Sequence, residues 1–480
     1  MTKSTILISL LFFCFTIVSS LFSGDENIPA QDRNNFEITK KAMEIIEQVE
    51  EKMEEKNSNY TMKTYYKGNQ DDISDIDNNN NTVVKPMENP YLLEGDEVLT
   101  RQQAEDVLEK VVQEARNYEV DLTSLFNENT RFKRKIQKNL TYTWEFPINY
   151  ISLGADTELI DKALGSMQNE TCIRFKKHTT IPHGQPGLKF VKGTGCWSYV
   201  GRTEENKFQD VSIGYGCTSF GTVQHETMHA LGSTHEQSRA DRDQYLTILE
   251  ENMLPKLLYN YEKLNVSNAL TYNTKYDYGS DMQYPGNSFS KNDLDTMAPK
   301  NYIFNKTLGI DDGLSFLDVK LVNFHYCSKN FTKKIKCYNG GYEDPNNNTR
   351  CKCVEGYDGD KCIQLPKPKQ GCNTTLYHVT ETLQTLALDG AKNCLYHLKA
   401  RHGKKINITV TSINIAPSYS NHCLKDNSLE VKFIGDKTPT GALLCKEIKN
   451  LKISSDNDHA IVHYRSAYDM NKMEITFSTV

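Results

Sequence analysis

The stretch from His225 to Tyr245, HETMHALGSTHEQSRADRDQY, carries three histidines at a spacing that suits a single metal ion. If its first residues are helical, His225 and His229 lie four residues apart and place both imidazoles on one face. Gly232 can adopt the left-handed conformation that ends a helix and turns the chain, so His235 can return to the same metal. Three imidazoles and one open position are the ligand set of a catalytic zinc, whereas structural zinc sites use four protein ligands.

Glu226 follows the first of these histidines and lies about 100° around the same helix. In that direction it cannot be a further ligand, but it can reach water beside the metal and act as a general base. The pattern H-E-x-x-H-x-x-G-x-x-H followed by a methionine turn is the metzincin signature, so this chain resembles the metzincin zinc proteases. The alternative, a chance coincidence of these residues, has odds on the order of one in 10⁵.

The residues after His235 narrow the resemblance to the astacin family. Its extended signature HExxHxxGxxHExxRxDRDxY is matched through Tyr245, and YDYGSDMQY (276–284) resembles its methionine turn. The resemblance implies that Met282 lies beneath the zinc. It also implies that the Tyr284 phenol ligates zinc or moves toward the substrate, where it stabilises the oxyanion.

One residue of this turn departs from the astacin pattern. Gln283 stands where the family usually has histidine, between the methionine and the tyrosine. Since both of those neighbours are present, we expect the departure to change the fine tuning of the site and not to abolish its activity.

An upstream stretch, YLLEGDEVLT (91–100), resembles the F-x-G-D element of astacin propeptides, with Leu93 in place of the usual phenylalanine. In that element an aspartate occupies the fourth position of zinc. The resemblance therefore implies that Asp96 keeps the enzyme latent and that Gly95 lets the backbone approach closely. The alternative is an ordinary polar turn with Gly-Asp at its tip.

A basic cluster, residues 131–135, precedes the first folded protease segment and predicts cleavage by an activating protease near Arg134. The alternative is a solvated run of charge. By resemblance to the family, the freed amino terminus becomes buried beside Glu236, the residue that follows the third histidine.

The composition of the 480 residues restricts the class of protein. A net charge of −6, spread along the chain, gives no indication of nucleic-acid binding. The apolar run ILISLLFFCFTIVSS predicts a secretory signal peptide that ends near Ser20 and removes Cys14, which leaves twelve cysteines. No later stretch has the length of a membrane span, so we expect a secreted, extracellular product. Sequons agree with secretion, at Asn139, Asn169, Asn265, Asn305 and Asn407.

Two segments follow the protease region. CYNGGYEDPNNNTRCKCVEGYDGDKC (337–362) resembles an EGF-like module with four of the usual six cysteines, and a disulfide-linked loop of no named class is the alternative. Beyond it, INITV, LEVKF and MEITF alternate apolar and polar residues, as half-buried strands do. This last segment resembles a CUB domain, with a β-sandwich of another family as the alternative. Its acidic residues, such as Asp426 and Glu430, are expected on the solvated surface.

We therefore predict an α+β chain whose protease domain has the metzincin fold, with a five-stranded twisted sheet and an active-site helix. The expected order is signal peptide 1–20, propeptide 21–134, protease domain 135–328, EGF-like module 329–363, linker 364–370 and CUB-like antiparallel β-sandwich 371–480. Apolar periodicity predicts helices over 36–56, 100–118 and 157–168, and strands near Ile173 and over 189–191 and 210–213.

The spacing of the four protease cysteines permits three pairings. The resemblance selects one of them, and it also implies the pairs of the two later segments. The expected disulfides are Cys172–Cys327, Cys196–Cys217, Cys337–Cys351, Cys353–Cys362, Cys372–Cys394 and Cys423–Cys445.

The expected function is that of a secreted zinc endopeptidase, made as a latent zymogen, with one zinc ion in its catalytic domain. The three-part architecture looks most like nematode astacins, which would imply extracellular protein substrates such as cuticle or connective-tissue matrix. Two other functions remain open. One is an adhesion or matrix-binding protein with a relic protease domain, and the other is a zinc hydrolase that acts on something other than protein.

Overall fold

The computed structural model describes residue 28 and residues 31–56, 85–122, 125, 142–264, 270–417 and 422–480. The predicted signal peptide, the basic cluster at 131–135 and the sequons at Asn139 and Asn265 lie outside these residues. Among the described helices, none has the length and apolar composition needed to cross a membrane.

The described part of the amino-terminal region contains two helices and one short strand: α1 (Arg33–Lys56), β1 (Glu97–Val98) and α2 (Arg101–Asn117). The helix predictions for 36–56 and 100–118 are confirmed. α2 starts at a capping box, in which the Thr100 side chain accepts from the Gln103 amide and the Gln103 side chain accepts from the Thr100 amide. Apolar residues spaced three and four apart on α1, such as Ile38, Ala42 and Ile46, are buried against α2 and the protease segment.

The first half of the protease segment contains two helices and most of a six-stranded sheet. The elements of this half are β2 (Ile148–Leu153), α3 (Thr157–Glu170), β3 (Phe175–Lys177), β4 (Gly187–Val191), β5 (Cys196–Tyr199), β6 (Phe208–Ile213) and α4 (Phe220–Ala230). The strand order is β1-β5-β6-β4-β2-β3, and among the described strands of this sheet only β5 and β6 pair antiparallel. The protease segment thus supplies the five predicted strands, and β1 adds a sixth at the edge. The strand expected near Ile173 begins two residues later, at Phe175, and Ile173 itself is buried in the core.

The second half of the protease segment is mostly irregular. It contains β7 (Leu246–Ile248), β8 (Met297–Pro299) and α5 (Phe316–Tyr326). Short 3₁₀ helices cover Glu236–Ser238, Arg242–Gln244, Glu250–Asn252, Pro255–Tyr261, Tyr302–Phe304 and Ser328–Asn330. Its core is rich in tyrosine and continues into the buried faces of α1 and α2, so the amino-terminal helices pack directly on this half.

The remaining residues form a small hairpin and a two-layer β structure. The hairpin is β9 (Tyr342–Asp344) with β10 (Asn347–Lys352). The layers contain β11 (Leu376–His378), β12 (Gln384–Asp389), β13 (Asn393–Lys399), β14 (Ile406–Ile415), β15 (Ser428–Lys432), β16 (Ala442–Leu444), β17 (Lys446–Ser454), β18 (His459–Arg465) and β19 (Lys472–Thr479). The sheet orders are β11-β13-β18-β15-β16 and β12-β19-β14-β17, and all of these neighbours are antiparallel except β11 and β13. Alternate residues of both sheets share one buried core, as in a β-sandwich.

The twelve described cysteines form six disulfides, and these are the pairs that the family resemblance implies. Cys172–Cys327 joins the region after α3 to the end of α5. One expectation for the sandwich is wrong. Asp426 is exposed, but Glu430 is only 2% exposed, because it lies on β15 and accepts a hydrogen bond from Arg465 on the adjacent β18 at 2.7 Å.

Candidate active site

Helix α4 positions the first two histidines. Its N-cap is Ser219, whose side chain accepts from the Thr222 amide, and its residues Gly221 to Ala230 are all buried. His225 and His229 therefore project from one face, and their Nε2 atoms lie 3.1 Å apart. The helix ends at Ala230, so both imidazoles lie on its last two turns.

Gly232 turns the chain out of α4 with a φ of +96°, and its amide donates to the His229 carbonyl oxygen at 2.7 Å. A left-handed residue at this position closes the helix and reverses the chain. His235 consequently returns to the same site, with its Nε2 atom 3.2 Å from that of His225.

Asp96 completes a four-residue cluster with the histidines, and all four side chains are buried. Asp96 Oδ2 lies 3.4 Å from His225 Nε2 and 3.2 Å from His235 Nε2, while Asp96 Oδ1 lies 3.6 Å from His229 Nε2. A tetrahedral zinc with bonds of 2.0–2.1 Å would separate its ligand atoms by about 3.3–3.4 Å. The four side chains therefore fit one tetrahedral ion.

The second ring nitrogen of each histidine has its own acceptor. His225 Nδ1 lies 2.7 Å from the Asp281 carbonyl oxygen, and His229 Nδ1 lies 2.9 Å from the Ser233 carbonyl oxygen. His235 Nδ1 lies 2.6 Å from a carboxylate oxygen of the amino-terminal region. These contacts orient all three Nε2 atoms toward the common centre, as is usual for metal-binding histidines.

Glu226 is fully buried, and neither of its carboxyl oxygens has a hydrogen-bond partner among the described residues. Burial raises the pKa of this carboxyl well above its ordinary value, and the negative charge of Asp96 raises it further. A buried carboxyl without a partner is costly unless a ligand or water meets it. Its place beside the histidines suits a proton acceptor of raised basicity.

The methionine turn lies under the site. Met282 is buried among the side chains of α4, and its carbonyl oxygen accepts from the Glu236 amide at 2.8 Å. The Tyr284 ring lies 4.4 Å from the His235 ring, centroid to centroid. Burial raises the pKa of the Tyr284 phenol, as do nearby carboxylates. Gln283 points away from this centre, since its side chain accepts from the Tyr276 hydroxyl and donates to the Tyr284 carbonyl oxygen.

Glu236 lies beside the metal cluster but is not part of it. Its Oε1 atom accepts from Arg239 at 3.0 Å and from the Asp277 amide at 2.8 Å. Burial raises the pKa of Glu236 to about 8, against the lowering effect of Arg239. Glu236 and Arg239 also line a cavity of about 260 Å³. The residues that follow the third histidine thus tie the site to the methionine turn.

Sequence reasoning missed two carboxylates that enter the site with Asp96. Glu94 contacts His235, and Glu97 Oε1 lies 3.4 Å from His229 Nδ1. Both residues are buried. The available signal was the run of three acidic residues in LEGDE, which is unusual for a segment that becomes buried.

The peptidase family described as Astacin matches residues 136–327. Zinc metalloproteinase nas-34 of Caenorhabditis elegans is 34% identical over 420 residues, which cover 85% of this chain and 68% of that protein. Zinc metalloproteinase nas-37 of the same organism is 34% identical over 333 residues, which cover 69% of this chain and 42% of that protein. Among solved structures, high choriolytic enzyme 1, a hatching enzyme zinc-protease from the medaka fish Oryzias latipes, is 34% identical. That match has a TM-score of 0.34 and covers 40% of this chain and 92% of the other. The chain belongs to the astacin family of zinc metalloendopeptidases.

Proposed function

We propose that this chain is a secreted astacin-type endopeptidase that folds as a latent zymogen, with zinc held by His225, His229 and His235. The observation that carries the proposal is the position of Asp96, whose carboxylate lies 3.2–3.6 Å from the Nε2 atoms of all three histidines. A carboxylate in this position takes the fourth place of a tetrahedral ion and leaves no room for water. The region that carries Asp96 is then the propeptide.

The propeptide also covers the edge strand of the protease sheet. β1 pairs with β5 in parallel, so Glu97 lies opposite Ser198 and Val98 opposite Tyr199. The Cys196 amide donates to the Pro86 carbonyl oxygen at 2.9 Å. An exposed edge strand is a ready binding surface for an extended peptide, so its occupation supports latency.

Removal of the propeptide would expose a site arranged for peptide hydrolysis. Zinc held by the three histidines would supply Lewis acidity and would make water nucleophilic near neutral pH. Glu226 takes the proton from the attacking water and passes it to the leaving amine. Tyr284 donates its phenol proton in a hydrogen bond to the oxyanion.

The cavity beside Glu236 supports the proposed burial of the freed amino terminus. Its lining includes Leu231, whose neighbour Ala230 accepts a hydrogen bond from the Trp144 ring at 2.7 Å. The protease segment therefore begins close to this cavity. A new ammonium group near Arg134 would give the buried Glu236 carboxylate a second cationic partner beside Arg239.

The rest of the proposal concerns secretion and the accessory segments. Six disulfides and the predicted signal peptide at 1–20 favour an oxidising, extracellular compartment. We assign residues 329–363 to an EGF-like module and 371–480 to a CUB-like domain. The proposed substrates are extracellular proteins such as cuticle or connective-tissue matrix.

Cleavage of gelatin and of a quenched peptide library by the secreted protein tests this function. We expect no activity before trypsin treatment, activity after removal of the segment that ends near Arg134, and loss of activity with a zinc chelator. Glu226→Gln keeps the size of the side chain and removes the base, so it should lower kcat by about 10²–10⁴-fold while zinc remains bound.

Silence of the processed, zinc-loaded protein would contradict the proposal and favour the adhesion or matrix-binding function. Chelator-sensitive hydrolysis of small esters without cleavage of any peptide would instead favour a hydrolase of another class. Full activity of Glu226→Gln would contradict the role of the base.

A further inference from the structure

The acceptor of His235 comes from a different part of the chain than those of the other two histidines. His225 and His229 place Nδ1 against backbone carbonyl oxygens of the protease segment, at 2.7 and 2.9 Å. His235 Nδ1 lies 2.6 Å from the carboxylate oxygen Oε2 of Glu94, 141 residues away in the sequence. Activation would leave two of these contacts intact and would remove the third.

Glu94 makes two further contacts with the protease segment. Its Oε1 atom accepts from the Ser238 hydroxyl at 2.8 Å, and its backbone carbonyl oxygen accepts from the Tyr284 hydroxyl. The neighbouring Glu97 does not replace it, because Glu97 Oε1 is 3.9 Å from His235 Nδ1. One propeptide residue thus engages a metal ligand, the chain beside that ligand and the phenol assigned to the oxyanion.

Because Glu94 is buried, its negative charge affects the stability of the zinc site. Its side chain is 7% exposed, and among the described residues it forms an ion pair with His235. A buried carboxylate needs a compensating positive charge. The imidazole N–H, polarised by a cation on the opposite ring nitrogen, supplies this compensation, and the carboxylate in turn makes the imidazole a stronger ligand.

We propose that Glu94 is a second latency residue, which holds His235 through its Nδ1 atom while Asp96 takes the fourth ligand position. The proposal rests on the proposed function, because it takes the three histidines as the zinc ligands. It extends that function, because the propeptide then helps to retain zinc as well as filling the fourth ligand position. Zinc is therefore held more tightly before activation than after it.

The test is the rate at which the zinc-loaded zymogen releases zinc to an excess of chromogenic chelator. Glu94→Gln keeps the shape of the side chain and removes its charge. Loss of an outer acceptor of a metal-binding histidine typically costs 10–100-fold in metal affinity, so we expect release about 10–100-fold faster. After trypsin removes the propeptide, the variant and the natural protein should have identical zinc release and kcat/KM, because the altered residue is gone.

Glu88→Gln is the matched control. Glu88 lies in the same propeptide segment, and its carboxylate accepts from the Phe289 amide at 2.9 Å without touching a histidine. We expect this variant to weaken docking of the segment but to leave zinc release close to that of the natural zymogen. Equal acceleration by both variants would mean that docking alone retains the zinc, and it would overturn the proposal.

Unchanged zinc release by a folded Glu94→Gln zymogen would overturn the proposal as well. If that variant is not secreted, Ser238→Ala provides a second measurement, since it removes the other hydrogen bond to the Glu94 carboxylate. The Ser238→Ala zymogen should release zinc faster than the natural zymogen, and the ratio of the two rates should be smaller after activation. An equal ratio before and after activation would contradict the role of Glu94. Failure of the proposed function appears separately, as natural protein without trypsin-dependent proteolysis.

Discussion

Asp32 and Asp210 form a second contact between propeptide and protease segment, away from the histidines. Asp210 on β6 accepts from Gln31 at 2.5 Å and pairs with Lys189 at 2.7 Å. Asp32 accepts from the Tyr199 hydroxyl at 2.7 Å and lies within hydrogen-bonding reach of Asp210. Each of the two carboxyl groups has one buried oxygen without another partner. Two carboxyl groups in such a site share a proton, because ionising both would place two negative charges side by side.

This carboxyl pair predicts that docking of the cut propeptide weakens as pH rises. Burial and the neighbouring Asp32 raise the pKa of Asp210 from 3.8 to about 8, so the docked state holds a proton that the separated state has lost. The added stabilisation of the docked state is fully present below pH 3.8 and is lost above about pH 8. Between these two values the equilibrium constant for docking falls by up to about tenfold per pH unit. Asp32→Asn should flatten this dependence, as measured by propeptide dissociation constants between pH 5 and 9.

Glu44→Gln is the control for this experiment, because Glu44 is exposed on α1, the helix that follows Asp32. It should reproduce the natural pH dependence. Equal slopes for Asp32→Asn and the natural chain would show that some other group takes up the proton.

At the scale of elements, the propeptide turn before β1 depends on one glycine. Gly95 has a φ of +82°, and a Cβ atom there would lie 2.5 Å from the Met87 carbonyl oxygen and 2.8 Å from the Phe289 ring. The turn therefore needs glycine for its backbone conformation and for its close approach to the protease segment. This turn carries Glu94 and Asp96 to the histidines.

Gly95→Ala should destabilise the docked turn of the propeptide, and it should not affect the mature enzyme, from which this residue has been removed. A left-handed alanine costs about 1–2 kcal/mol, and the contacts above add to this, so the docked turn loses at least about 5–30-fold in population. The measurement is the peptidase activity of the uncut zymogen relative to the trypsin-treated form. Gly184→Ala is the control, since Gly184 has a φ of +67° and open space around it. Equal latency in both variants would contradict the role assigned to this turn.

The elements also show how far the sequence predicts the structure. The α4 site depends on contacts four to ten residues apart, which the spacing of His225, His229 and His235 expresses directly. The sixth sheet strand and the Glu94 contact depend on docking between segments that are 101 and 141 residues apart. No local sequence period predicts contacts between segments so far apart. In the sequence alone, the neighbours of Asp96 are typical of an ordinary turn.

At the scale of the whole molecule, the carboxy-terminal sandwich packs against the loop that carries the methionine turn. The Thr440 amide donates to Asp277 Oδ1 at 2.9 Å, and the Leu443 amide donates to the Thr307 hydroxyl at 2.9 Å. Thr440 also covers Gly279, where a Cβ atom would lie 2.6 Å from its Cγ2 atom. The sandwich is therefore in direct contact with the backbone that leads to Met282.

Asp277 links this contact to the active site. Its amide donates to Glu236 Oε1 at 2.8 Å, and the Glu236 amide donates to the Met282 carbonyl oxygen at 2.8 Å. A continuous chain of hydrogen bonds thus runs from Thr440 to the turn beneath the histidines. The arrangement makes the sandwich a support for the catalytic segment as well as a separate surface, because a shift of the Thr440 loop moves the Asp277 carboxylate with it.

Gly279→Ala tests this support, because the added methyl group meets Thr440 and no left-handed conformation is involved. Overpacking of this kind typically costs about 1–3 kcal/mol, so we expect the variant to unfold at lower temperature and to lose kcat/KM after activation. Thr440→Gly in the same chain removes the obstructing side chain and should recover most of both losses, whereas Thr440→Gly alone completes the double-mutant cycle. Gly165→Ala, at a glycine with open space around it, should leave kcat/KM unchanged. If the double variant recovers stability but not kcat/KM, the contact serves folding alone, and the sandwich does not position the methionine turn.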